Sequence, residues 1–175
     1  MAEIINQDFR RVEAWLYSIP RIEIALENLK IELERLETRR QSTPTWMPNP
    51  NAVPVTGGQL DSRQQKWVEF LSEYDERKRE LQEQIRYREN QIECFQLVMN
   101  MLRQENAQLV QLVRKKYIEK VQPDWVIWKR VLFVGKTKFY EMRQYAVQSF
   151  FECLPAQFLK KRTKGELKRV NFMVL

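Results

Sequence analysis

The sequence predicts an all-α protein: a long heptad-patterned helical arm, built as a hairpin or coiled coil, followed by a small C-terminal helix-turn-helix domain. Three observations predict it. Apolar residues recur at 4-3 spacing over two long stretches, as a coiled-coil seam requires. Only 4 of 175 residues are glycine while 30% are charged, the composition of helical, coiled-coil-rich chains. Near the C-terminus two amphipathic segments flank a tight turn containing Gly135, the succession expected of a helix-turn-helix.

The arm is assigned to residues 1–103. Its first stretch, Asn6 to Arg40, places Ile22, Leu26, Leu29, Leu33 and Leu36 on one seam. Pro20 stands two residues before that seam and is expected to kink the chain or start a new helix. Upstream, Phe9, Val12, Trp15 and Leu16 form a shorter amphipathic helix, so the arm is expected to begin with two helices.

Residues 41–62 carry Pro44, Pro48, Pro50, Pro54, Gly57 and Gly58, which neither a helix nor a central strand accommodates. A loop of this length is unusual in a compact domain, so packing through Trp46 and Met47 along the helices it joins, or mobility, is expected.

The second stretch has the strongest pattern. Trp67, Leu71, Tyr74, Lys78, Leu81, Ile85, Arg88, Ile92, Phe95, Met99 and Leu102 keep the 4-3 spacing without a break, with Lys78 and Arg88 the only polar occupants. The spacing predicts one helix of about 60 Å at a rise of ~1.5 Å per residue, capped by Ser62. It can fold back on the first stretch as an antiparallel hairpin or pair with another copy; the seam supports both. The long stems of Lys78 and Arg88 are expected to reach solvent from the seam, or to specify its register.

Asn106 offers a helix cap where the seam ends. A further helix then runs to about Lys120, with Leu109, Val110, Leu112, Val113 and Tyr117 on its apolar side. The C-terminal domain is assigned to 104–154. Asp124, after Gln122-Pro123, is expected to cap a short helix reading WVIWKRVL, and KTKFYEMRQYAVQSFFECL follows after the turn. Helix-turn-helix packing needs apolar residues at set offsets, and Trp128, Leu132, Val134, Phe139 and Met142 fill them. Tyr145, Ala146, Phe150 and Leu154 are expected in the core. Lys129 and Phe133 depart from the small residue and the glycine common at those two places.

In such a motif the second helix lies in the major groove of DNA. Gly135 begins it here, and Lys136, Thr137, Lys138, Tyr140, Glu141 and Gln144 fall on or near its exposed side. Lysines in the first turn can donate to guanine or phosphate oxygens, and the first backbone N–H groups face anions. Lys129, Arg130 and Arg143 flank the helix as expected phosphate contacts. The charge agrees. Residues 1–103 hold 15 Lys and Arg against 17 Asp and Glu, a balance of −2, whereas residues 104–175 hold 15 against 6, a balance of +9. Such asymmetry points to an anionic partner for one part of the molecule, and double-stranded DNA leads. The tail, 155–175, adds Lys160, Lys161, Arg162, Lys164, Lys168 and Arg169 as a basic DNA arm or a frayed terminus.

Other classes are disfavoured. The chain has no histidine, which removes Ser/His and Cys/His nucleophile pairs and most zinc sites. Its cysteines, Cys94 and Cys153, are too far apart for a CxxC pair. No catalytic residues, metal or cofactor are therefore expected. There is no basic-then-apolar signal segment after Met1, and no run approaches the roughly 18 apolar residues of a membrane span. A cytoplasmic setting without membrane partners is expected.

The tandem of a helical arm, the loop TWMPNPNAVPVTGG, a heptad helix ending in a basic helix, and VLFVGKTKFYEMRQYAV resembles the RinA-like and ArpU-like late-gene transcription activators of phages of Gram-positive bacteria. The C-terminal part also resembles region 4 of sigma factors. The resemblance covers roughly residues 9 to 154, and GKTKFYEMR is its most specific stretch, with Gly135 where the family usually has Ser. It implies a non-enzymatic, sequence-specific regulator that activates phage late genes in the bacterial host cytoplasm, with RNA polymerase as a further candidate partner and a homodimer through the heptad helices. Competing expectations are a phage small terminase subunit, which would form a ring, and a structural coiled-coil protein whose basic end binds an acidic partner. A nuclease is disfavoured because Asp124, Glu141 and Glu152 are dispersed.

Overall fold

A computed structural model describes residues 6–41 and 62–159. Residues 42–61, where most of the expected loop falls, and the expected basic tail from Lys160 onward lie outside the described residues. The chain is all-α, and among the described residues there is no strand. Helix α1 spans Asn6–Gln41 and α2 spans Ser62–Glu105. Helix α3, Ala107–Val113, continues as a wider π-helical turn at Arg114–Ile118. Helix α4, Asp124–Val126, does the same through Ile127–Val131. Helix α5 is Lys136–Cys153, and a last turn, α6, is Ala156–Leu159. No described helix is long and apolar enough to cross a membrane.

Two corrections to the expected elements concern helix starts. Pro20 neither kinks off a separate helix nor begins one, because α1 runs through it without interruption. The proline removes one backbone donor, but Ile19 and Ile22 on either side are buried and hold the segment in place. Asp124 does not cap α4. Pro123 occupies that position, and the Asp124 carboxylate instead accepts a 2.6 Å bond from Lys116 Nζ, an ammonium that is itself buried. Asn106 behaves as expected, its side chain accepting the Gln108 N–H at 2.8 Å.

The chain divides into two compact units, one of residues 1–21 and 91–175 and the other of residues 22–90. The division differs from the expected boundary near residue 103, because the start of α1 belongs with the C-terminal helices. In the second unit the two stretches of the arm run antiparallel within one chain. Lys30 pairs with Glu89 at 2.9 Å, Glu32 with Arg77 at 2.6 Å and Glu37 with Lys78 at 2.8 Å. The Arg40 guanidinium lies 4.9 Å from the centroid of the Tyr74 ring. Seam residues Ile22, Tyr74, Leu81 and Ile85 are buried, while Leu26, Leu29, Leu33, Leu36 and Leu71 are half-buried. Lys78 reaches Glu37 from the seam, the snorkelling expected of a long stem.

The first unit holds most of the apolar core. Val12, Leu16 and Ile19 of α1 are fully covered, as are Leu102, Leu112, Val113, Ile127, Phe139, Ala146, Val147 and Phe150. Trp15, Phe95 and Phe150 form an aromatic cluster with centroids 5.7 to 6.4 Å apart. Beside it lies a polar junction. A single oxygen, Glu13 Oε1, accepts hydrogen bonds from Tyr117 Oη at 2.6 Å, Arg143 Nη2 at 2.6 Å and Arg143 Nε at 2.9 Å. Tyr17 meets the Tyr117 ring edge-on at 5.0 Å.

Burial, and then the bond to Glu13, raise the Tyr117 phenol well above the usual tyrosine range. An unfolded tyrosine ionises near pH ~10, so the contribution of this phenol to stability is complete below that pH. It is lost as pH rises through and beyond it, by up to about 1.4 kcal/mol per pH unit. Denaturant titrations from pH 8 to 11, pH values chosen to bracket the ~10 of an unfolded tyrosine, are expected to show this decline. Tyr117→Phe is expected to lose about 1 kcal/mol at neutral pH and to have a flatter alkaline profile.

Candidate nucleic-acid interface

Three helices position the basic surface: α3 with its widened turn, α4 with its own, and α5. Helices α3 and α4 end in the same way. A residue with positive φ, Lys120 or Phe133, each at 54°, turns the chain. The N–H of the next residue then reaches back six positions, from Val121 to the Lys115 carbonyl and from Val134 to the Trp128 carbonyl, both at 2.9 Å. Glycine usually takes such left-handed positions, because a Cβ there costs roughly 1–2 kcal/mol. Neither residue here is glycine. Gln108 Nε2 donates to the Leu132 carbonyl at 3.3 Å and ties the start of α3 to the end of α4.

The chain then passes Val134 and Gly135 into α5. Gly135 has an extended backbone, φ −73° and ψ 157°, and caps the helix with no side chain. Its carbonyl accepts the Phe139 N–H at 3.0 Å. Along α5, Phe139, Met142, Ala146, Val147 and Phe150 point inward and are buried. Lys136, Thr137, Lys138, Tyr140, Glu141 and Gln144 are exposed on the opposite side. Lys129 and Arg130 are exposed at the end of α4. Eight of the nine expected site residues thus lie at the surface, on two helices joined by residues 132–135.

Arg143 is the exception. It falls four residues after Phe139 and three before Ala146, both fully buried, and so lies on the inward flank of α5. Its guanidinium is engaged with Glu13 and lies 5.4 Å from the centroid of the Phe9 ring. Burial opposes its charge, but the bonds to Glu13 and Tyr117 outweigh this and raise its pKa. The expected role as a phosphate contact is replaced by an internal one.

Three core expectations also change in detail. Tyr145 is exposed, its hydroxyl donating to Glu105 at 2.8 Å. Trp128 and Val134 are half-buried, and Ile127, one residue earlier than Trp128, is the fully covered residue of α4. The widened turn alters the 3.6-residue period and rotates the next side chains, which apolar spacing alone does not reveal.

Two aromatic residues also lie at this surface: Trp125, which apolar spacing did not mark, and Phe133, which stands where glycine is common. The Arg130 guanidinium lies 5.1 Å from the centroid of the half-exposed Trp125 ring, an interaction worth about 0.5–1 kcal/mol at an exposed site. Phe133 is 83% exposed. Lys138 pairs with Glu141 at 3.4 Å, but both side chains are more than 60% exposed, so the pair contributes little and leaves the lysine available. Among the described residues no ion pair engages Lys129, Arg130 or Lys136.

No protein-family model, curated protein or solved structure matches the chain.

The geometry at Gly135 makes a stability prediction. A Cβ built there meets nothing within 4 Å, the backbone already suits a capping residue, and the unfolded chain would lose freedom. Gly135→Ser is expected to raise stability by about 0.5–1 kcal/mol, read as a higher denaturation midpoint with unchanged m-value.

Proposed function

We propose that this chain binds double-stranded DNA through the outer face of α5 and the end of α4, and that it regulates transcription as a sequence-specific, non-enzymatic activator of phage late genes. The observation that carries the reading is the clustering of Lys129, Arg130, Lys136 and Lys138, all exposed, around the start of a helix whose opposite face is locked into the core. Cations there can neutralise phosphates, and the first N–H groups of α5 add a partial positive charge. Thr137, Tyr140, Glu141 and Gln144 are the polar side chains on the same exposed side and supply base-edge contacts. The division of charge along the chain supports the same partner, as does the resemblance of the GKTKFYEMR stretch to phage activators. On this reading the protein acts in the bacterial cytoplasm, with RNA polymerase as a further partner and a homodimer as its assembly.

The reading is tested by incubating the purified protein with a pool of random duplexes and sequencing what is retained. Enrichment of one site is expected, and equal recovery of all sequences overturns a specific regulator. Loss of each phosphate contact should lower the slope of log affinity against log salt by ~0.9. Lys136→Ala and Lys138→Ala are therefore expected to weaken binding and flatten that slope. Arg143→Ala is expected to behave differently, costing about 2–3 kcal/mol of folding stability by leaving Glu13 without its charge partner.

A further inference from the structure

We propose that Phe133 is a base-stacking residue: on DNA its ring lies against the face of a nucleobase that is unpaired or pulled out of the helical stack. The inference rests on the DNA-binding reading above and goes beyond it, because neither the lysines nor the polar face of α5 requires an aromatic ring in the turn.

Phe133 combines two unfavourable features, of which the helix-ending bond from Val134 N–H to the Trp128 carbonyl offsets only the first. Its backbone is left-handed, with φ at 54°, a conformation that penalises any residue with a Cβ. The residue is 83% exposed, so most of the burial that ordinarily stabilises a phenylalanine is forgone. Lys120 ends α3 with the same φ, but its ammonium is solvated and only the backbone term is unfavourable. Glycine at 133 would remove both penalties while keeping the turn. An outlier of this kind, held at a surface, points to a ligand that the residue meets.

The charge around it identifies the ligand. Arg130 stands three residues before Phe133 and Lys136 three residues after it, and both are exposed cations on the helices that the turn joins. An apolar protein partner would not select this surround. A polyanion carrying flat aromatic rings would: the phosphates meet the cations and a base meets the phenyl face, the combination that single-strand and duplex-distorting proteins use.

The test uses the full chain and two fluorescent probes, a fully paired duplex and the same duplex with a central patch of unpaired thymines. Wild type is expected to prefer the probe with unpaired bases. Phe133→Gly is expected to fold at least as stably, by thermal unfolding, yet to bind that probe roughly tenfold more weakly with an unchanged salt slope. Phe133→Trp should retain the preference. If Phe133→Gly binds both probes as wild type does, while Lys136→Ala and Lys138→Ala weaken binding, stacking is overturned and DNA binding stands. If wild type binds neither probe even at low salt, where phosphate contacts alone would retain it, both fall.

Discussion

The arrangement of the C-terminal helices depends on one carboxylate oxygen. Glu13 Oε1 gathers the Tyr117 hydroxyl and two nitrogens of Arg143, and so joins the start of α1 to the widened turn of α3 and the middle of α5. Tyr117 and Arg143 are 104 and 130 residues from Glu13 along the chain. A largely buried ion pair of this kind adds little net stability over an apolar substitute, but it is exacting about geometry, because any other packing leaves a charge without a partner. It fixes the rotation of α5 about its axis. With Phe139, Arg143 and Phe150 committed inward, Lys136, Lys138, Tyr140 and Gln144 can only face out.

The helix ends set where that outward face begins. Two successive helices stop at a left-handed residue, Lys120 and then Phe133, and each is followed by an N–H that reaches back to a carbonyl of the last turn. Backbone groups that would otherwise be orphaned are satisfied within each helix, so the connections stay short. The four residues between α4 and α5 leave little freedom for the relative placement of Lys129, Arg130 and the first turn of α5.

The unit of residues 22–90 is held differently. Its cross-helix ion pairs are substantially exposed on both sides, and exposed pairs contribute about 0–1 kcal/mol each. Its apolar seam is buried at Ile22, Tyr74, Leu81 and Ile85 but half-covered at five leucines. The unit of residues 1–21 and 91–175 instead packs α1, α2, α3, α4 and α5 around fully covered side chains. Local opening free energy follows buried contact, so the stiffer support lies beneath the basic surface.

Much of this was determined by the sequence alone. Heptad spacing placed α1 and α2, because a seam residue is buried by whichever helix it meets; Asn106 marked the start of α3 for the local reason that its side chain satisfies a nearby N–H. The inward residues Leu132, Phe139, Met142, Ala146, Phe150 and Leu154 were legible from period, and so were the exposed lysines of α5. Tertiary structure alone decided the rest. The seam allowed a hairpin or a second copy, and the Lys30, Arg77 and Lys78 pairs show the hairpin within one chain. Pro20 looked like a break, yet packing on both sides outweighed its local preference. Arg143 read as a surface cation, since charge suggests solvent, and only a partner 130 residues away could draw it inward. The departure from glycine at Phe133 was legible in the motif, but that the residue keeps the left-handed backbone and stays exposed was decided only by the fold.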